Sequence, residues 1–397
     1  MKRILMLLFA MVFCMIFTSC WNSREIDELS IATALGIDKS KEGYIVTVQL
    51  IKPGEIAKEK TGKSAPVITY RTYGKTVYEA IRKLTLETPR RIYLSHLRLV
   101  VFGEELAEED GIGKVMDFIS RDHEVRTDFY ITVSRGTKAE KLLNILTPLE
   151  QIPANKIFSA LETSANEWAP TKHIQLYELV HSLVSEGKEP VLTGIIIKGD
   201  PEIGMDISNL EKVDVPTTVQ IRYLAVFKKD KLVEWLNEEE SVGYNHITGG
   251  VKSTIVTIPW LQGGKIGIEL VRTKSKVSGR MEYGKPKIEI EYRVEANIGD
   301  VECEVDLLEE DNIRRIEEIL EEEIKRKMNS AVEKAKNLKS DIFGFGEVIH
   351  RSVPKAWKEL KNNWDSEFQD LNVGIKVTAK VRRLGTTTGS LKQNIKE

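Results

Sequence analysis

Short apolar runs alternate with stretches of helical periodicity through the first half of the chain. Residues 29–37 and 44–51 are apolar and β-branched on either side of a polar segment, which predicts a β-hairpin. Further strands are predicted at residues 67–73, 97–102, 129–133 and 191–197. Apolar positions three or four residues apart predict helices starting near Thr76, around Val115, and at 139–146, 157–161 and 174–183. This alternation indicates a mixed sheet with helices packed against it.

The second half of the chain changes from strands to helices. Apolar runs predict strands at 219–227, 231–236, 254–258, 266–271 and 288–294. A single apolar stripe from Ile313 to Leu338 then predicts a long helix, with acidic residues before its first turn and lysines at its end. Strict alternation over 373–381 predicts a half-buried final strand. These patterns favour an antiparallel sheet packed by one long helix.

Together the patterns predict an α+β or mixed α/β fold with several domains. Residues 1–19 are expected to be a signal peptide, and 20–200 an N-terminal mixed α/β region with two subdomains. Residues 201–216, rich in glycine, proline and acidic residues, are the predicted linker. Residues 217–385 are the predicted C-terminal α+β domain, and 386–397 a flexible tail.

The N-terminus has the pattern of a lipoprotein signal peptide. Two basic residues precede an unbroken apolar run over residues 4–17, which is shorter than the about 20 residues that span a bilayer as a helix. The small pair Thr18-Ser19 then precedes Cys20, and this string resembles a bacterial lipobox, although Phe17 stands where such sites usually have Leu. We therefore expect lipidation at Cys20, where two acyl chains would give a stable anchor. The alternative is a plain secretory cleavage that leaves Cys20 as a free thiol.

Composition excludes several classes of function. The 397 residues are 41% hydrophobic and 30% charged, enough for two or three cores. The 58 Lys+Arg and 60 Asp+Glu nearly cancel and the basic residues are dispersed, so nucleic acid is not an expected partner. The six histidines form no metal-type pair and no Cys-x-x-Cys occurs, so no catalytic residue, metal or cofactor is expected. Cys303 would be the one thiol left after processing, so no intramolecular disulfide is expected.

An aromatic segment near the C-terminus supplies the remaining candidate residues. They are Asp341, Phe343, Gly344, Phe345, Gly346, Trp357 and Trp364. Asp341 is placed to cap a short helix, and Pro354 suits the first turn of the next helix. The glycines would let the backbone turn while both phenylalanine rings enter the core. The alternative is a docking patch for a partner, and the two tryptophans could likewise form an exposed helix-in-groove face.

Three segments of the chain together resemble the Ger(x)C family, the lipoprotein C subunits of spore nutrient-germinant receptors. The first is 20–29 with Ala-Leu-Gly-Ile-Asp at 34–38, and the second is 87–98 leading to Val-Phe-Gly-Glu-Glu at 101–105. The third is Asp-Ile-Phe-Gly-Phe-Gly at 341–346, with the tryptophan stretch behind it. The segments follow one another in the family's order along almost the whole chain.

The resemblance implies a lipid-anchored, non-enzymatic subunit on the outer face of the spore inner membrane. It implies A- and B-type membrane subunits as partners and a role in nutrient-triggered germination, and it leaves open whether the chain binds a nutrient itself. A second hypothesis is a free-standing solute-binding lipoprotein on the outer face of the cytoplasmic membrane, which would need a preformed cleft. A third, an extracytoplasmic hydrolase, would need a nucleophile and base, and the sequence offers no such pair.

Overall fold

The computed structural model describes residues 28–56, 65–260 and 263–383, with residues 3, 4 and 6 of the predicted signal peptide. The predicted lipidation site Cys20, the predicted tail 386–397 and nearly all of the predicted signal peptide therefore lie outside the described residues. Within the described part, thirteen strands form two sheets, and helices pack against both.

Most strands lie where the apolar runs predict them. Their bounds are β1 (Leu29–Ser40), β2 (Gly43–Ile51), β3 (Val67–Gly74), β4 (Arg91–Tyr93), β5 (Leu99–Gly103), β6 (Tyr130–Ser134), β7 (Val191–Lys198), β8 (Thr218–Lys228), β9 (Lys231–Leu236), β10 (Thr254–Pro259), β11 (Lys265–Glu282), β12 (Lys285–Val301) and β13 (Asn372–Arg383). Only β4, of three residues, gives no signal in the apolar pattern.

The helices connect these strands. Their bounds are α1 (Pro53–Ile56), α2 (Val77–Lys83), α3 (Glu104–Glu109), α4 (Gly113–Arg121), α5 (Ala139–Leu143), α6 (Pro153–Glu167), α7 (Leu176–Val184), α8 (Pro201–Gly204), α9 (Glu238–Thr248), α10 (Glu310–Asn337), α11 (Phe345–Ser352), α12 (Pro354–Leu360) and α13 (Trp364–Gln369). Short 3₁₀ helices lie at Leu84–Leu86, Ile207–Leu210 and Lys361–Asn363. No helix of the described residues is both long enough and apolar enough to span a membrane.

The first sheet has nine strands and a parallel centre. Its order is β3-β2-β1-β5-β6-β7-β8-β9, and β4 pairs with the beginning of β1. Strands β1, β5, β6 and β7 run parallel, whereas antiparallel pairs extend the sheet at both edges. The predicted hairpin is confirmed, with Ile37 opposite Val46. The predicted mixed N-terminal sheet is confirmed as well.

Helices cover both faces of the first sheet. In β1, Leu35 belongs to the core under α2, α3, α4 and α7, while Ala34 belongs to the core under α5 and α6. Strands that are buried on both faces have continuous apolar sequences, as residues 99–102 do.

Strands β8 and β9 differ from the expectation. The apolar pattern assigns residues 219–227 and 231–236 to the C-terminal domain, but β8 pairs with β7, β9 pairs with β8, and both belong to the first sheet. Ala225 packs into the N-terminal core, and its neighbours Leu224 and Val226 pack into the core of the second sheet. A strand that is apolar on both faces does not reveal from its own sequence which sheet it joins.

The predicted linker 201–216 is packed against the N-terminal region. Asn209, inside this segment, is fully buried. Its side-chain amide donates to the carbonyl oxygens of Leu146 and Thr217, each at 3.0 Å, and its side-chain oxygen accepts from the Thr217 N–H at 3.1 Å. These bonds fix the path of the chain between β7 and β8.

The second sheet has the order β10-β11-β12-β13. Its first three strands are antiparallel, as predicted, but β13 runs parallel to β12, with Ile290 opposite Ile375. A parallel pair needs a long crossover, and the four helices α10 to α13 provide it. The apolar stripe of α10, including Ile316 and Leu320, is buried in the core of this sheet. The predicted C-terminal sheet packed by a long helix is thus confirmed, with one parallel strand.

Candidate functional site at the junction of the two sheets

Asp341 lies at the centre of the junction, in the turn between α10 and α11. It is 2% exposed. Its Oδ1 accepts from the N–H groups of Gly344 at 2.9 Å and Phe345 at 3.0 Å, and its Oδ2 accepts from the Gly346 N–H at 2.7 Å. The indole Nε1 of Trp364 donates to Oδ2 at 3.0 Å. Gly344, not Asp341, occupies the N-cap position of α11, but the Asp341 carboxylate accepts from the first N–H groups of this helix, so four N–H donors converge on it.

Burial and hydrogen bonding act in opposite directions on Asp341. Burial raises the pKa of its carboxyl group to about 6, against the effect of the four N–H donors. The carboxylate is therefore ionised at neutral pH, in the form that all four donors require.

The aromatic residues of the segment 341–364, called the aromatic motif below, pack around this carboxylate. Phe345 is fully buried and its ring stacks on that of Phe343 with centroids 4.9 Å apart. Trp357 and Trp364 are 2% and 4% exposed and meet edge to face at 5.1 Å. The structure thus brings together all the residues that the sequence singles out here, and places them in or against the core rather than on an open surface.

The loop between α7 and β7 is the N-terminal partner of this motif. The Glu189 N–H donates to the Asp341 carbonyl at 2.9 Å, and the Ser185 hydroxyl donates to Glu347 Oε1 at 2.7 Å. The backbones of Gly187 and Gly346 lie so close together that a methyl group on Gly346 would be 2.7 Å from the Gly187 Cα. The motif therefore fastens the C-terminal region onto the first sheet.

Lys228, at the end of β8, adds charge to the same junction. Its ammonium lies 3.0 Å from Glu189 Oε1, and it donates to the Lys339 carbonyl at 2.7 Å and to Asp365 Oδ1 at 2.5 Å. One side chain thus links three elements that are far apart in sequence. Neither Lys228 nor the loop at 185–189 is distinguished by any pattern in the sequence, since their roles depend on contacts made across the fold.

A cavity of about 240 Å³ lies beside the junction. It is bounded by α7, by the loop leading to β7 and by Tyr244 of α9. The ring of Tyr244 lies 5.7 Å from that of Phe343, so the cavity borders the aromatic motif directly. Its charged lining residues are Lys172, Glu178, Lys188 and Glu189.

The other two segments that carry the family resemblance meet in the first sheet. Gly36 lies opposite Val101 in the parallel pair of β1 and β5. The buried carboxylate of Asp38 accepts from the N–H groups of Ala139 and Glu140 at 2.8 and 2.9 Å, at the start of α5. Burial raises the pKa of Asp38 against these two bonds. In the described part of the chain, no three His, Cys, Asp or Glu side chains gather as a metal site.

Two family models match the chain. The model described as "Spore germination protein N-terminal domain" matches residues 22–197, and the one described as "Spore germination B3/ GerAC like, C-terminal" matches residues 223–385. Together they leave out the predicted linker. Strand β8 pairs in the first sheet, yet its second half lies inside the C-terminal family match. The bounds of the predicted domains therefore stay a prediction.

Relatives match over the whole length. Spore germination protein KC of Bacillus subtilis (strain 168) is 30% identical over 407 residues, covering 100% of this chain and 99% of that protein. Putative spore germination protein YfkR of the same organism is 28% identical, covering 94% and 95%. The crystal structure of the GerBC protein has a TM-score of 0.57 at 20% identity, covering 90% of this chain and 99% of that one, and shows the same fold.

Proposed function

We propose a receptor role from one premise: the chain belongs to the Ger(x)C family of spore germination proteins. The proposal is that it is the non-catalytic C subunit of a spore nutrient-germinant receptor and is required for nutrient-triggered germination. The observation that carries it is the match to a spore germination protein from end to end, at 30% identity. The three segments of the sequence resemblance support it further.

The anchor is proposed to be lipid on Cys20. The lipobox-like string before this residue supports the assignment, as does the length of the apolar run in front of it. The folded body would then lie on the outer face of the spore inner membrane, beside A- and B-type membrane subunits. Two acyl chains hold a protein stably, whereas one gives marginal binding.

Deletion of the gene tests the receptor role. We expect slower or absent germination with at least one nutrient, and normal germination with a non-nutrient trigger. Normal germination with every nutrient, in a strain that also lacks related genes, would refute the role.

Substitution of Cys20 tests the anchor separately. Cys20→Ala should release the protein from spore membranes and weaken nutrient germination. The matched control is Cys14→Ala, which lies in the expected leader and should change neither property. Retention of the Cys20→Ala protein on membranes, or an unmodified Cys20 in a mass spectrum of the native N-terminus, would count against lipidation.

Cross-linking tests the proposed partners. Lysine-reactive cross-linkers applied to spore membranes should join exposed lysines of this chain to A- or B-type subunits. Cross-links found only within the chain, with the partner subunits detected in the same sample, would contradict the assembly.

A further inference from the structure

The cavity beside the junction contains a lysine that has no partner of opposite sign within ion-pair distance in the part of the chain that the structure describes. Lys172 precedes α7 and lines the cavity, and its ammonium donates to the Tyr244 hydroxyl at 3.3 Å. It also lies 5.2 Å from the centroid of the Tyr244 ring. Among the described residues, it forms none of the ion pairs within 4.0 Å that other lysines form. An ammonium has three N–H donors, so two of these are available to a guest.

Burial and neighbours act against each other at this ammonium. Burial lowers the pKa of Lys172, and the contact with Tyr244 together with the negative charge of Glu178 outweighs that effect, so the pKa lies above its ordinary value. The side chain is therefore a cation at neutral pH. Glu178 acts on this ammonium from beyond ion-pair distance, so an anionic guest in direct contact with it would recover part of the free energy that its withdrawal from water costs.

The acidic residues of the same cavity are already engaged. Glu178 accepts from the Gln175 N–H at 3.1 Å as part of the capping box of α7. Glu189 pairs with Lys228 at 3.0 Å and accepts from the Lys229 N–H at 2.6 Å. The second cation, Lys188, forms no ion pair within 4.0 Å among the described residues, and its stem lies over Gly344. The cavity therefore presents two lysines without an ion-pair partner among the described residues, beside two carboxylates that already accept hydrogen bonds.

The rest of the lining combines apolar walls with the polar groups of Tyr177, His181, Ser182 and Tyr244. Ile174, Leu179, Pro190 and Val191 form the walls. The volume of about 240 Å³ is below the roughly 300–1,000 Å³ of drug-sized sites. It is several times the about 30 Å³ that one water molecule occupies in the liquid. These dimensions suit a short hydrocarbon group with one charged end.

We propose that this cavity binds a small carboxylate, whose oxygens accept from the ammonium of Lys172 and whose apolar part lies against Ile174 and Val191. Lys188, at the rim, supplies a second positive charge. The assignment goes beyond the receptor role and does not depend on it. A bound guest would contact α7, the loop before β7 and α9 at the same time. It would therefore contact elements on both sides of the junction at which Asp341 lies.

Calorimetric titration of the full-length protein in detergent tests the proposal. The probes are sodium butyrate and its neutral counterpart butyramide, which have nearly the same shape and differ in charge. We expect butyrate to bind at least tenfold more tightly than butyramide. Lys172→Met should weaken butyrate binding at least tenfold, and Lys188→Met severalfold. The control Lys276→Met, on the exposed side of β11 and outside the cavity lining, should bind butyrate as the parent does.

Three outcomes would overturn the proposal. They are no butyrate binding above that of butyramide, equal binding by the parent and both cavity variants, and binding of inorganic phosphate as tight as that of butyrate. If Lys172→Met does not fold, the comparison of the two probes and the Lys188→Met variant, whose side chain is only partly buried, still decide the question.

Discussion

At the scale of single residues, the hydrogen bonds to one buried carboxylate, that of Asp341, stabilise the junction. Both oxygens of Asp341 accept from N–H groups, two donors each. An asparagine in this position would turn an NH₂ group toward one pair of these donors. Buried donors that lose their partner cost about 1–3 kcal/mol each.

We therefore expect Asp341→Asn to lower the free energy of unfolding by about 2–4 kcal/mol, measured by urea denaturation at pH 7.5. The matched control is Asp365→Asn, whose carboxylate is 56% exposed and pairs with Lys228. An exposed ion pair contributes about 0–1 kcal/mol, so this control should lose little. Equal losses in the two variants would contradict the role given to Asp341.

The burial of His246 should make the free energy of unfolding depend on pH. It is fully buried, and its Nδ1 lies 2.7 Å from the Tyr292 hydroxyl. Burial, with a smaller effect of Lys327, lowers the pKa of His246 to about 3. Because an unfolded histidine titrates near 6.5, the unfolded state binds the proton between pH 6.5 and 3 while the folded state does not. The contribution of neutral His246 to the free energy of unfolding is therefore fully present above pH 6.5 and is lost as the pH falls below that value.

The comparison with His246→Gln isolates this effect, since glutamine can keep a hydrogen bond to Tyr292 but does not titrate. Relative to the variant, the parent should lose about 1.4 kcal/mol per pH unit between pH 6 and 4 in urea denaturation. His123→Gln, at an exposed position, should leave the slope of the parent unchanged. A difference between parent and His246→Gln that stays constant with pH would show that His246 keeps its proton in the fold.

Local sequence predicts part of the structure around these residues. The buried Phe345 follows from local spacing, and Gly344 does adopt φ +75° as a turn requires. Gly346 differs, because it lies inside α11 and is needed for close approach to Gly187. The bond from Trp364 to Asp341 spans 23 residues and could not be derived from local pattern.

At the scale of elements, apolar periodicity located most strands and the long helix. The helix predicted near residues 312–338 is observed as α10, Glu310–Asn337. Helix α9 gave no signal, because residues 241–247 are buried all round and a helix without a polar face lacks the amphipathic pattern. Periodicity reports one-sided burial, so it misses a helix such as α9 that is enclosed on all sides.

The contact between the loop at 185–189 and α11 can be tested through Gly187. A methyl group there would lie 2.7 Å from backbone atoms of Gly346 and Glu347. Gly187→Ala should therefore cost about 1–3 kcal/mol of unfolding free energy, because backbone must shift. The control is Gly54→Ala, where nothing lies within 4 Å, and it should be neutral or slightly stabilising. A neutral Gly187→Ala would mean that the two backbones are not tightly packed.

At the scale of the whole molecule, the two sheets share one core. Val191, Leu224, Val226 and Leu236 come from the first sheet, yet they pack in the same cluster as the second sheet and α10. The sequence predicted both sheets and their order along the chain. It did not predict this shared core, because the residues that form it resemble those of any buried strand.

We expect thermal unfolding of the full-length protein to be a single cooperative transition, because neither sheet can separate without exposing the shared core. Far-UV circular dichroism and tryptophan fluorescence should give coincident curves. Asp341→Asn should shift both curves together to lower temperature. Two resolved transitions in the parent would contradict the shared core.

The position of β8 and β9 also decides where halves of related proteins can be exchanged. A chimera joined between residues 198 and 222, where the two family matches part, would take its central strands from one parent and their edge neighbours from the other. A join at Asn237, directly after β9, keeps the nine-stranded sheet from a single parent. Recombinants built at Asn237 should inherit a matched set of strand pairings, and the mismatch would be confined to the junction of the two sheets.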